Sequence, residues 1–237
     1  MKRLITLANF ILVFLFISWE LNAQVALPTF QPFLTPHEGA CDGASLDVGP
    51  RWSQGSQSRT HQLILVDDQG TTHTFNQVNR GWKKHDGTGN TSGSSNTYTG
   101  LCSGTIRYRS YFIFDLTSFS ATVSTATLRL EYESFWQTNN GNTAFVAVYD
   151  VSTSRNDMNN TAAVQSRYDD LGTGHRYAVK CLQSSDAPRT VNTCSGSFTT
   201  NHSNVILVDW TLDSQGVTDV NAKAGDYFIV GLTLVTE

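Results

Sequence analysis

The chain has 237 residues, a formal charge of −4, and 15% charged against 39% hydrophobic residues. Sequence-independent nucleic-acid binding is excluded by that balance, because it needs a basic surface to displace counterions from phosphates. Solubility must rest instead on Ser, Thr, Asn, Gln and Gly, a composition common on exported proteins.

At the start, Lys2 and Arg3 form a short positive region and Leu4 to Trp19 an almost uninterrupted apolar one, before Leu21-Asn22-Ala23 ends on a small residue. This pattern predicts a signal peptide over 1–23, with the mature chain beginning near Gln24 and acting outside the cell. An apolar run of about 16 residues is short for a membrane span, which takes about 20, and no later segment reaches spanning length. About 210 residues remain, enough for a single large domain. The expected division is an N-terminal extension or first strands over 24–60 and one module over 61–237.

Cys41, Cys102, Cys181 and Cys194 all lie in the mature part, and an even count in an exported chain predicts two disulfides. The expected pairing is Cys41 with Cys102 and Cys181 with Cys194. Zinc is not expected, because there is no Cys-x-x-Cys and no histidine at ligand spacing from a cysteine.

From His61 on, the pattern is almost wholly β. His61 to Val66 and Thr71 to Gln77 flank Asp67-Asp68-Gln69-Gly70, read as a four-residue hairpin connection that puts His61 and His73 on different faces. Further on, Tyr108, Ser110, Phe112, Phe114 and Leu116 share one parity and are expected in the core, with Arg107, Arg109 and Tyr111 outward. Leu128, Leu130 and Tyr132 repeat the pattern, with Arg129, Glu131 and Glu133 on the wet side. Another strand is expected at Ala144 to Asp150. Later strands are expected at Arg176 to Leu182, Val205 to Leu212 (Trp210 inward) and Tyr227 to Val235. A short helix near 214–223 is capped by Asp213 or Ser214 and ended by Gly225. Long polar connections are read over Gly81 to Gly104, Trp136 to Thr143 and Ser152 to Gly174, and glycosylation sequons stand at Asn90, Asn159 and Asn201.

The fold expected is therefore all-β, an antiparallel β-sandwich. The phrases Phe112-Ile-Phe-Asp-Leu116 and Ala126-Thr-Leu-Arg-Leu130, with Val205-Ile-Leu-Val-Asp-Trp210 and Gly225-Asp-Tyr-Phe-Ile-Val230, resemble DNRLRE-type modules and related carbohydrate-binding modules. That resemblance runs loosely from Thr71 to Leu234. It implies a jelly-roll-like sandwich of secreted polysaccharide-degrading and surface proteins, some of whose relatives bind acidic polysaccharides such as alginate.

An enzyme is not expected. Asp150, Glu131 and Glu133 are the obvious strand carboxylates, but periodicity does not pair them across a cleft, and there is no Gly-x-Ser-x-Gly elbow. No cofactor is expected beyond a structural calcium, for which Asp67 with Asp68, or Asp169 with Asp170, supply hard oxygen ligands. For sugar stacking the candidates are aromatics in polar segments, Trp82, Tyr98 and Trp136, with Trp52 beside them in character. Lys83 and Lys84 next to Trp82 suit a carboxylate-bearing sugar. The expectation is a non-catalytic binder of extracellular carbohydrate, with a self-associating structural or adhesive matrix protein as the alternative. Its partners are then a polysaccharide, a surface or matrix component, or another copy.

Overall fold

Strand alternation becomes two antiparallel sheets packed face to face in the computed structural model, which describes residues 48–52, 61–91, 97–102, 105–137, 143–187, 190–191 and 205–235. The first nine strands are β1 (Val48–Trp52), β2 (Gln62–Asp67), β3 (Thr72–Lys84), β4 (Gly89–Asn90), β5 (Thr97–Tyr98), β6 (Gly100–Cys102), β7 (Ile106–Asp115), β8 (Val123–Gln137) and β9 (Thr143–Asp150). Helical turns α1 (Arg155–Met158) and α2 (Gln165–Asp170) follow. Then come β10 (Arg176–Gln183), β11 (Thr190–Val191), β12 (Ile206–Thr211), α3 (Ser214–Ala222) and β13 (Tyr227–Leu234).

The long strand β8 is the spine of one sheet, with β1 and β2 along one edge and β12 and the parallel β11 along the other. The second sheet runs β10, β9, β13, β7, β3. Strand β3 serves both: Thr72 to Asn76 pair with β2, whereas Gln77 to Lys84 pair with β7 after a bulge between Gln77 and Asn79. A bulge bends a strand and increases its twist, which lets one strand turn the corner of a sandwich.

Between the sheets lie Leu63, Leu65, Phe112, Phe114, Leu128, Leu130, Tyr132, Val146, Val148, Trp210, Phe228 and Val230, all in one buried cluster. Each such side chain contributes about 1.5–3 kcal/mol by leaving water. Helix α3 adds Val220 to that cluster, and Asp213 is its cap, its side chain accepting from the Gly216 N–H at 2.9 Å. Trp52, read from sequence beside the exposed aromatics, is in the core, edge-on to Trp210 at 5.7 Å.

Several expectations from alternation are corrected. Tyr111 does not face outward. With Ile113 and Ile229 it is buried under Met158 and Leu171, because the segment after β9, expected to be an open loop, folds into α1 and α2 and covers the outer face of the second sheet. Arg109, also expected outward, is half-buried; its guanidinium lies 4.2 Å from the Tyr168 ring and donates to the carbonyls of Tyr168 and Asp169. Glu131 and Glu133 are buried as well, and both attract the buried Arg80 on the neighbouring sheet. Alternation tells which residues oppose each other, not what lies over the second face. Arg107 is exposed, and Arg129 forms a two-pronged bond with Asp209 at 2.8 and 2.7 Å.

The hairpin between β2 and β3 pairs one residue out from the expected register. Val66 pairs with Thr72 and Leu65 with His73, and the connection between the strands is Asp68 to Thr71. Asp67 makes the difference: its Oδ1 accepts from the Gln69 and Thr71 N–H groups at 3.0 and 2.7 Å, and Gly70 takes φ 81°. A one-residue change flips every side chain of the partner strand. His61 and His73 therefore share a face, but they stand about 13 Å apart along it.

Cys102 and Cys181 are each disulfide-bonded. Cys41 and Cys194 lie outside the described residues, as do the signal segment 1–23 and the sequon at Asn201. No described helix is long and apolar enough to cross a membrane.

Candidate functional site

The aromatic residues expected to stack on a sugar do come together, but largely on one another. Trp82 stacks on Tyr98 at 5.3 Å, and Tyr98 meets Trp136 edge-on at 5.7 Å and Tyr108 at 4.6 Å. Trp136 is fully buried and donates its Nε1–H to the Leu101 carbonyl at 3.1 Å. It has no face left for a ligand. Trp82 and Tyr98 remain half-buried at the margin of this cluster.

The two lysines also part company, since alternation along β3 sends Trp82 and Lys83 to opposite faces. Lys83 is fully buried beneath the α1–α2 segment, where its ammonium donates to the Asn160 carbonyl at 2.9 Å. Lys84 pairs with Asp86 at 3.0 Å. The expected platform flanked by two free ammonium groups is therefore not formed: Lys83 and Trp136 are interior residues.

Burial, reinforced by repulsion from Arg167, brings the Lys83 ammonium from 10.5 down to about 8. Between those values the unfolded chain binds more protons than the folded one, so this group makes stability rise with pH across that window. Thermal midpoints of the parent and Lys83→Met, compared at about pH 7.5 and 9.5, should show the rise in the parent and a flatter profile in the variant. Parallel profiles would assign the rise to other groups.

The acidic doublets are engaged in local hydrogen bonds, Asp67 in the β2–β3 turn and Asp169 and Asp170 at the end of α2. Besides its two backbone bonds, Asp67 accepts from His73 Nε2 at 2.9 Å, and these bonds hold its carboxyl below the usual range. Asp68 accepts from the Gln69 side chain, Asp169 from the Gln165 side chain at 3.0 Å, and Asp170 from the Ser152 hydroxyl and the Thr153 N–H at 2.8 and 2.7 Å. Among the described residues, no group of three or more His, Cys, Asp or Glu side chains is placed to hold a metal ion.

A different place has the shape of a site. A cavity of about 400 Å³ opens where the end of β9, the start of α1, Tyr177 of β10, the last turn of α3 and the start of β13 converge. Such a volume lies in the range of small-molecule pockets. The half-buried Tyr227 supplies apolar wall, with the buried Tyr177 and Phe228 behind it; Asp150, Asp219 and Arg155 supply the polar groups that matter most.

Asp150 accepts the His175 N–H through Oδ1 at 2.7 Å, while Oδ2 has no hydrogen-bond partner among the described residues. Burial, with Asp170 and Asp219 nearby, raises its carboxyl above the ordinary value. The close approach depends on Gly174, whose φ of 84° suits glycine and where a side chain would collide with the Asp150 carboxylate. Asp219 is fully engaged, accepting from the Tyr177 hydroxyl at 2.8 Å and from Gln215 at 2.9 Å. The Arg155 guanidinium lies 4.1 Å from the Tyr227 ring centroid, its Nε has no hydrogen-bond partner among the described residues, and its charge helps to hold the Asp115 carboxyl low. Lys223, also in the wall, is paired with Asp226 at 3.3 Å.

Of these residues, only Asp150 stands out in the sequence, as a carboxylate at the end of a strand. Arg155, Tyr177, Asp219 and Tyr227 come from four separate segments, and no motif spacing links them. No family model, curated protein or solved structure matches the chain.

Proposed function

We propose that the protein is an exported, non-catalytic β-sandwich that binds extracellular carbohydrate in the cavity beside α3. The observation that carries this reading is the pocket itself, where the half-buried Tyr227 stands beside the Arg155 guanidinium and a carboxylate oxygen of Asp150 that has no hydrogen-bond partner among the described residues. Sugars present both an apolar C–H face and a rim of hydroxyls, and such a pocket meets both. Export is supported by the positive, apolar and small-residue order of 1–23 and by disulfides at Cys102 and Cys181, which persist in oxidising compartments. Binding without catalysis is favoured because glycoside cleavage takes two available carboxylates, and Asp219 is occupied by Tyr177 and Gln215. A preference for acidic polysaccharides loses its cations at the Trp82 cluster, since Lys83 is buried and Lys84 is paired.

Affinity gels of alginate, pectin and neutral glucans, run with the purified mature chain, test the proposal. Retention on at least one gel, released by free sugar, is the expected result. Migration unchanged on every gel would sink it in favour of the self-associating matrix reading. That alternative has its own observation: Ile206 and Leu207 on β12 are 37% and 58% exposed. Strand β12 pairs only with β8 among the described strands. An edge of this kind can accept a strand from another copy, which sedimentation at increasing concentration would detect.

A further inference from the structure

Resting on that reading, we propose that the cavity beside α3 takes one uncharged sugar unit through its hydroxyls, Arg155 giving and Asp150 accepting the hydrogen bonds, and that it turns uronic acids away. The argument starts from what each group can do. A guanidinium is a donor only, and an ionised carboxylate is an acceptor only. Both line the same cavity, and neither Arg155 Nε nor Asp150 Oδ2 has a hydrogen-bond partner among the described residues. A hydroxyl gives and takes hydrogen bonds, so neighbouring hydroxyls satisfy both groups together. A carboxylate ligand would satisfy only the arginine and an ammonium only the aspartate.

Charge then discriminates against acids. The wall carries Asp150, Asp219 and Asp226 against Arg155 and Lys223, and Asp226 already neutralises Lys223. Asp170 lies close enough to Asp150 to disfavour its ionisation. A uronic acid would bring a further negative charge into this surround, with one arginine to receive it. The half-buried Tyr227 provides the apolar side against which the sugar ring rests.

The experiment is a calorimetric or NMR titration of the mature chain with methyl glucoside, methyl galactoside and methyl mannoside, with glucuronate and glucosamine as the charged counterparts. It is repeated on Arg155→Ala and Asp150→Asn, the latter keeping Oδ1 as acceptor for the His175 N–H. At least one neutral glycoside should bind about tenfold or more tightly than either charged sugar. Each variant should lose about tenfold or more in affinity for it while keeping its thermal midpoint. Glucuronate or glucosamine binding as well as the best neutral sugar would overturn this inference and leave carbohydrate binding standing. So would neutral-sugar binding unchanged in both variants, since the sugar would then sit elsewhere. Retention on no affinity gel, together with no response to any sugar here, would end both readings.

Discussion

Phe114→Ala should lower the free energy of unfolding by about 3–5 kcal/mol, the range for deleting a fully buried phenylalanine. Phe114 has no exposed surface and sits near the end of β7, between Phe228 on β13 and Gln77 on β3. Strands hydrogen-bonded on both sides hold the backbone in place, so the cavity left by the ring cannot collapse easily. Leu207→Ala on β12 removes an aliphatic side chain that is 58% exposed. It should change stability by about half a kcal/mol or less. Urea unfolding of the two variants beside the parent gives the comparison directly. Equal midpoints would mean that β7 presents its other face to the core.

Trp136→Ala is the second large effect, and it separates an interior role from a ligand platform. The ring is fully buried, meets Tyr98 at 5.7 Å, lies under the Arg51 guanidinium at 5.9 Å, and donates to the Leu101 carbonyl. Removing it should cost about 3–5 kcal/mol through lost packing, with the Leu101 carbonyl left unsatisfied as part of that loss. A sugar platform would behave oppositely, losing affinity while the unfolding midpoint stayed put. Retention on glycan gels, normalised to folded protein, should therefore be unchanged in the variant. A stable Trp136→Ala protein that no longer binds would restore this aromatic cluster as the site.

Much of the architecture was legible because the signals that carry it are local. Two-residue alternation in Tyr108 to Leu116 and in Leu128 to Tyr132 identified the inward residues of β7 and β8, and Asp213 with Gly225 bracketed α3 correctly. The hairpin register differs by a single residue, since the Asp67 side chain captures two backbone N–H groups and sets the four-residue connection at Asp68 to Thr71. Nothing in periodicity distinguishes two such connections offset by one residue around the same glycine.

The residue pattern alone set the all-β class, most strand positions and the inward face of the central strands, because each follows from neighbours two residues apart. What covers the second face was settled by packing between distant segments. The segment from Val151 to Leu171 folds over β7 and β13, and that contact turned Tyr111 and Lys83 into interior residues. Such packing also decided the candidate site. Asp150, Arg155, Tyr177, Asp219 and Tyr227 become neighbours only when β9, β10, α3 and β13 meet at one end of the sandwich. Side-chain period reports on one strand at a time, whereas a cavity is made by the ends of several. The sequence pattern of those ends carries no record of which others they will face.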